Sequence, residues 1–137
     1  MINKVTLIGN LGRDIELTTT QSGTPVAEAR VATSESYTDR DGKKQKKTEW
    51  HSVVLWGKLA ETATRYSKKG SRVYVEGKIQ TRDWEDREGN KRYKTEVVAR
   101  QFLSLDSHGG GGERGPGIDT YEEPEGYGGG PDDDLPF

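Results

Sequence analysis

The composition of this chain changes abruptly near residue 108, and that change limits what the chain can fold into. Residues 1–107 carry apolar side chains at alternating positions and a single proline, Pro25, whereas glycine, proline and acidic residues dominate from His108 onward. A segment without periodic apolar residues cannot bury enough surface to offset its conformational entropy. We therefore predict one folded domain over residues 1–107, a disordered Gly/Pro-rich linker over residues 108–131 and a terminal acidic segment over residues 132–137.

Charge divides at the same boundary. Of the 137 residues, 21 are Lys or Arg and 23 are Asp or Glu, which gives a formal net charge of −2. Residues 1–108 hold 20 of the cations and 15 of the anions, a net charge of +5, and the rest hold 1 and 8, a net charge of −7. The near-neutral total hides a basic domain, suited to a polyanion, joined to an acidic tail.

Two absences from the sequence indicate where such a chain works. It contains no cysteine, which removes disulfides and thiolate metal sites from consideration. The longest apolar run, residues 53–56, is far shorter than the roughly 20 residues of a membrane span, and no signal-peptide segment opens the chain. We expect a soluble protein of the cytoplasm with no membrane partner.

Period-two alternation and turn residues predict five strands and one helix in the folded domain. The first strand is expected to be long and kinked at its glycines, and Leu59, Ala63 and Tyr66 to lie along the apolar side of the helix. The predicted strands cover residues 5–17, 27–33, 48–56, 71–84 and 91–105, and the helix covers residues 58–69.

This order of elements matches an all-β fold, the five-stranded, partly open Greek-key barrel called the oligonucleotide/oligosaccharide-binding (OB) fold. The helix between the third and fourth strands would cover one end of the barrel. Residues 39–44 are expected to form an exposed basic loop. In the fourth strand, Val73, Val75, Gly77 and Ile79 are expected to face inward.

Four aromatic side chains are candidates for stacking on nucleic-acid bases: Tyr37, Trp50, Trp56 and Trp84. Trp50 and Trp56 alternate on one strand face, and Trp84 alternates in phase with Arg82 and Lys78. Burying these rings would draw charges or a second tryptophan into the core. Stacking needs no particular base, so it favours binding of single strands without sequence preference. The alternative, that the tryptophans are ordinary core residues, stays open.

Eight cations are candidates for phosphate contact because they lie near these rings in the predicted hairpins and strands. The alternative is that these cations only form an ordinary solvated surface, since acidic neighbours such as Glu85 and Asp86 weaken the local positive potential. The eight are Lys43, Lys44, Lys46, Lys47, Arg72, Lys78, Arg82 and Lys94.

Catalytic and metal-binding chemistry find little support in the sequence. His51 is the only histidine of the folded domain, and it lacks the second histidine of a metal pair and a nucleophile to activate. The glycines at 109–112 lack the lysine of a phosphate-binding loop. We expect a non-enzymatic protein without cofactor or metal.

The last six residues combine anions with an apolar end, in the order Asp132, Asp133, Asp134, Leu135, Pro136, Phe137. An apolar plug with acidic residues before it and a terminal carboxylate suits a hydrophobic pocket rimmed by Arg and Lys. The segment is therefore predicted to dock partner proteins, and a merely solubilising acidic tail is the alternative.

The sequence also resembles the bacterial single-stranded DNA-binding protein family over essentially its whole length. The resemblance rests on Asn3-Lys4-Val5, Leu7-Ile8-Gly9-Asn10-Leu11-Gly12, Ala32-Thr33-Ser34-Glu35-Ser36, Thr48-Glu49-Trp50-His51, Gly57-Lys58-Leu59-Ala60-Glu61 and the ending from Asp132 to Phe137.

The resemblance implies a homotetramer that wraps single-stranded DNA in replication, recombination and repair, with partner enzymes bound to the tail and the protein associated with the nucleoid. It places the stacking positions on Tyr37, Trp50, Trp56 and Trp84, and an intersubunit contact on His51. Tyr37 stands where tryptophan is frequent in the family and Trp56 where phenylalanine is frequent, and both keep a ring that can stack.

Three other functions are compatible with the same barrel. An RNA-binding module is compatible with phosphate and stacking contacts, because neither excludes a 2′-hydroxyl. A nuclease would need a metal or a general base that the sequence does not offer. A replication accessory protein would bind partners more than DNA.

Overall fold

Alternating β-branched residues and glycine-containing turns divide the folded part into strands and one helix. The computed structural model describes residues 1–106. Its elements are β1 (Val5–Leu11), β2 (Glu16–Thr19), β3 (Pro25–Thr38), β4 (Lys44–Trp56), α1 (Lys58–Tyr66), β5 (Arg72–Glu85) and β6 (Lys91–Ser104). The domain boundary predicted after residue 107, the linker and the acidic segment lie outside the described residues.

The strands form one sheet in the order β1-β5-β6-β4-β3-β2, which closes because β1 also pairs with β3. From Val5 to Asn10, β1 pairs with β5, and at Asn10 and Leu11 it pairs with β3. A Cβ on Gly9 would overlap the carbonyl oxygen of Ala32, so only glycine allows this approach. The predicted all-β OB barrel with one short helix is confirmed.

The first predicted strand is wrong in one respect, because the chain forms two strands, β1 and β2, where we expected a single kinked one. Between them, the N–H of Gly12 donates to the carbonyl oxygen of Arg30 at 3.0 Å, and Ile15 is buried. A Cβ on Gly12 would overlap the ring of Trp50. The bend is sharp enough to end the ladder with β5, so β2 pairs with β3 alone.

The core lies inside the barrel and beneath the helix. Its fully buried side chains include Leu11, Val31, Val53, Leu55, Val73 and Val75, which come from four strands. The helix contributes Ala60 and Ala63, with Leu59 packed at the margin. The inward faces of β1, β3, β4 and β5 are thereby covered within the barrel, which is what stabilises a barrel of this size.

The helix prediction is wrong at its end and on one face. Ser67 adopts extended backbone angles, so α1 stops at Tyr66 and not at Lys69. Tyr66, which the spacing predicts to be on the apolar side, is exposed. Ala60, which the spacing did not include, is buried. The helix packs against β3 and β6 through Ala60 and Ala63, and the chain turns away in extended conformation directly after Tyr66.

Two long hairpins continue beyond the barrel, and we call them the β3–β4 arm (residues 35–47) and the β5–β6 arm (residues 79–95). In the first, Asp39 closes a tight turn by accepting the N–H of Lys43 at 2.8 Å. The predicted basic loop is therefore wrong beyond Lys43, because Lys44 already belongs to β4.

The β5–β6 arm also corrects a predicted inward residue. Ile79 is 50% exposed, because β5 has left the barrel by that position and no element covers it. A register shift leaves Arg100 of β6 with no residue opposite it in β5, since Glu76 pairs with Gln101 and Gly77 pairs with Ala99. This bulge reverses the alternation and turns Phe102 into the core. Within residues 1–106, no helix is long and apolar enough to cross a membrane.

Candidate nucleic-acid interface

The three tryptophans lie on the same face of the sheet. Trp50 pairs with Ala32 and Trp56 with Val26 across β3 and β4, and residues directly opposite in a ladder share a face. The parallel pairing of Val54 with Val98 carries this face to β6, and from there to β5 and Trp84. We call it the tryptophan face.

Each tryptophan leaves ring surface accessible on this face. Trp56 is 49% exposed at the end of β4, and Trp50 and Trp84 are half-buried. The ring of Trp50 packs against Gly12, and the guanidinium carbon of Arg82 lies 5.4 Å from the ring centre of Trp84. The neighbours fix the orientation of two rings, which lowers the entropy lost when a base stacks on them.

Tyr37 is the one stacking candidate that the structure does not bring to the tryptophan face. It pairs with Gln45 in the β3–β4 arm and alternates in phase with Val31 and Thr33, on the opposite side of β3 from Ala32. The ring is exposed there. Counting positions from Val31 would have found this from the sequence. Its role in stacking stays a prediction.

Six of the eight predicted phosphate ligands share the tryptophan face. Lys43 lies in the turn of the β3–β4 arm, and Lys47 pairs with Glu35 on the opposite face, where its Nζ is 3.6 Å from Glu49. The six alternate in phase with a tryptophan in β4 or β5, or pair with such a position from β6: Lys44, Lys46, Arg72, Lys78, Arg82 and Lys94. Phosphate contact by any of the eight stays a prediction.

Two of these cations already have carboxylate partners on the same face. The Nζ of Lys94, whose side chain is only 17% exposed, lies 3.1 Å from Oε1 of Glu28. The Nε of Arg82 lies 3.1 Å from Oε1 of Glu96. The sequence analysis did not identify either carboxylate as part of the site. Both Glu28 and Glu96 lie on the tryptophan face.

The two carboxylates differ in their protonation. Burial opposes ionisation of Glu28, but hydrogen bonds from Ser52 (2.8 Å) and Lys94 outweigh it and lower the pKa of Glu28. Burial raises the pKa of Glu96 above its usual value, although the nearby positive charges of Arg82 and Lys94 act to lower it. The two carboxylates of this face thus have pKa values shifted in opposite directions.

Other carboxylates near this face have lowered pKa values. The Tyr74 hydroxyl donates to Glu76 at 2.7 Å, which lowers the pKa of Glu76 and raises that of the tyrosine. Backbone N–H groups in the turns of the two arms lower the pKa of Asp39 and Asp86. The carboxylates of Asp39 and Asp86 thereby stabilise the turns of the two arms.

His51 lies on the opposite face of β4 from Trp50, at the margin of the core. Its Nε2 and the Thr33 hydroxyl are 2.8 Å apart, in a hydrogen bond. Burial lowers the pKa of His51, so the imidazole is neutral at physiological pH. In the part of the chain that the structure describes, no group of three His, Asp or Glu side chains is arranged to hold a metal ion. The predicted docking residues, Asp132 to Phe137, lie outside the described residues.

A closed, helix-capped barrel with aromatic rings and cations on one sheet face defines an OB-fold protein of the oligonucleotide-binding class. A model of the "Single-strand binding protein family" matches residues 2–105, so the chain belongs to that family.

Named relatives support this assignment. The chain is 48% identical over 127 residues to a single-stranded DNA-binding protein of Rhizobium meliloti, covering 88% of this chain and 73% of the relative. It is 50% identical over 105 residues to single-stranded DNA-binding protein 1 of Xylella fastidiosa, covering 76% of this chain and 77% of the relative.

Two solved structures share the fold. One is a deletion mutant of the single-stranded DNA-binding protein from Thermus aquaticus, with a TM-score of 0.68 and 28% identity, which covers 78% of this chain and 52% of that one. The other is a Plasmodium falciparum protein of this type in complex with single-stranded DNA, with a TM-score of 0.70 and 31% identity, which covers 77% of this chain and 96% of that one.

Proposed function

We propose that this protein binds single-stranded DNA without sequence preference and protects it. The observation that carries the proposal is the set of three tryptophans and six cations on one sheet face. Each stacked base contributes about 1–3 kcal/mol, and the cations neutralise phosphates between the rings. A duplex hides its bases from such rings, so the surface favours unpaired strands.

Tryptophan fluorescence tests this proposal, because stacking bases quench indole emission. Titration with oligo-dT should quench the emission to a stoichiometric end point, and the affinity should fall as salt rises. A matched oligo-rU tests the RNA-binding alternative, which predicts equal or tighter binding to RNA. Long incubation of labelled DNA with Mg²⁺ tests the nuclease alternative. Unchanged emission at saturating DNA would refute the proposal.

The protein is also proposed to act as a homotetramer. Ile8, Tyr74 and Leu103 are aligned across β1, β5 and β6, and Ile8 and Leu103 are more than half exposed. The segment Val5–Ile8 pairs with β5 on one side only. An apolar row beside an unpaired strand edge suits further copies of the chain, with His51 as a second contact. Light scattering should give a mass of four chains, and Ile8→Glu should reduce it.

The tail is proposed to recruit partner proteins of DNA replication, recombination and repair, in the cytoplasm at the nucleoid. Removal of residues 135–137 should abolish capture of these proteins and leave DNA affinity equal or slightly higher, because an anionic tail competes with phosphate. Partner capture that survives the deletion contradicts this part of the proposal. A replication accessory protein, the remaining alternative, would keep its partners but bind oligo-dT weakly.

A further inference from the structure

The three cations that flank Trp84 on the tryptophan face are already paired with carboxylates. Arg92 lies directly opposite Trp84 in the ladder, and Arg82 and Lys94 form the neighbouring pair on the same face. The Nε of Arg92 is 3.0 Å from a carboxylate oxygen, and the Nε of Arg82 and the Nζ of Lys94 are each 3.1 Å from one. The partners are, in that order, Asp86, Glu96 and Glu28. Each pair has no net charge, so these cations add no overall positive charge around Trp84.

These ion pairs are shielded from water to a large extent. The side chains of Lys94 and Glu96 are 17% and 4% exposed, and those of Arg92 and Asp86 are exposed by a fifth or less. Salt screens exposed charges much more than buried ones. Breaking such a pair leaves a buried charge without its partner, which costs more than one exposed phosphate contact returns. We therefore expect the pairs to persist at high salt and when DNA binds.

Two lysines on the same face have no such partner. Lys44 lies in the β3–β4 arm, and Lys78 lies in β5, two alternate positions before Arg82. Among residues 1–106, neither lysine has a carboxylate within ion-pair distance. A phosphate neutralised by an unpaired cation releases its condensed counterion, whereas contact with a pair of zero net charge releases none. Paired and unpaired cations therefore make DNA binding depend on salt to different degrees.

We infer that the tryptophan face holds DNA at Trp84 by stacking without neutralising phosphate, because carboxylates cancel the charges of the three cations around this ring. The salt dependence of binding then comes from unpaired cations such as Lys44 and Lys78. Glu96 thereby limits the affinity of the face without touching the strand. The inference rests on the proposed function and narrows its set of phosphate ligands, from which it removes Arg82 and Lys94.

Glu96→Gln tests the inference, because the amide oxygen still accepts from the Nε of Arg82 while the negative charge is lost. The guanidinium should stay beside Trp84 and now carry a net charge toward the strand. A short oligo-dT is titrated at pH 8, followed by tryptophan fluorescence, at several NaCl concentrations. The plot of log affinity against log salt should steepen by about 0.7, which is about a fivefold gain in relative affinity between 1 M and 0.1 M salt. An unchanged slope overturns the inference.

The double variant Glu96→Gln/Arg82→Gln replaces the ion pair by two neutral side chains of similar shape. Its slope should return to that of the wild-type protein, because one neutral pair replaces another. A slope shallower than wild type would show that Arg82 neutralises a phosphate, and the inference would be wrong. This variant also covers the case in which Glu96→Gln alone fails to fold, since it leaves no unpaired charge behind.

Glu85→Gln is the matched control for the loss of one negative charge. Glu85 is exposed on the opposite face of the same arm, where it pairs with Lys91 in the ladder. Its replacement should leave the slope unchanged. Equal steepening in Glu85→Gln and Glu96→Gln would mean that only the total charge of the arm matters, and would overturn the inference.

Lys78→Gln provides the opposite comparison, because it removes an unpaired cation from the same strand and face as Arg82. Its slope should become shallower than wild type by about 0.7. A slope that stays at the wild-type value contradicts the assignment of the salt dependence to unpaired cations. In all of these titrations, failure of the wild-type protein to bind oligo-dT would overturn the proposed function itself, whereas binding with the wrong slopes overturns the inference alone.

Discussion

The barrel and the two arms that extend from it follow the same period-two alternation but use it differently. Inside the barrel, Val53 and Leu55 meet other strands and are fully buried. In the arms, both faces are largely open to solvent, so Ile79 and Tyr93 are 50% and 58% exposed. Alternation therefore distinguishes two faces of a strand, and burial depends on whether another element covers one of them.

The largest expected difference between the two regions is in stability. Leu55→Ala should lower the free energy of unfolding by about 2–5 kcal/mol, because it leaves a cavity in the core. Ile79→Ala should change it by about 0.5 kcal/mol or less, as is usual for exposed positions. Urea titration at equal protein concentration measures both. Similar losses would mean that the β5–β6 arm is packed against something in solution.

A smaller difference is expected between the two faces of the β5–β6 arm. Trp84→Ala should weaken oligo-dT binding by about 1–3 kcal/mol, the contribution of one stacked base. Tyr93 is the matched control, since it is an exposed ring on the opposite face of the same arm. Tyr93→Ala should leave affinity unchanged in the same titration. An equal loss in both variants would show that the arm acts as a whole and not through one face.

The smallest effect concerns His51, at the margin between core and solvent. Its pKa in the folded protein lies below the usual 6.5, so folding disfavours the protonated ring. The stability should therefore be unaffected well above pH 6.5 and fall as the pH drops through that value. His51→Gln should remove this part of the pH dependence, measured as the difference between two urea midpoints at pH 7.5 and pH 5.5. Parallel pH profiles of the two proteins would contradict the assignment.

The sequence predicted those features that depend on local chemistry. Alternation and turn residues predicted the single helix between strands, and Gly70, whose φ of 88° only glycine readily adopts, indicated a break in the chain before β5. The spacing of Trp50 with Trp56, and of Trp84 with Arg82 and Lys78, predicted which side chains share a face within each strand, and the ladder register joins these two faces into one. Each of these inferences used neighbours within a few residues along the chain.

Several of the wrong predictions depended on contacts between distant segments. The break between β1 and β2 follows from the approach of β3, and the exposure of Ile79 follows from the end of the barrel. The bulge at Arg100 changes which residues of β6 face the core, and no local pattern announces it. Glu28 and Glu96 were overlooked because their importance comes from Lys94 and Arg82 in other strands or across a turn.

The sequence by itself determined the all-β class, the single helix, the basic folded part and the face that carries the tryptophans, because side-chain periodicity and charge are local properties. Only the tertiary structure decided where the barrel closes and which cations are already paired. These features arise where strands distant in sequence meet, and closure of the barrel is what brings them together.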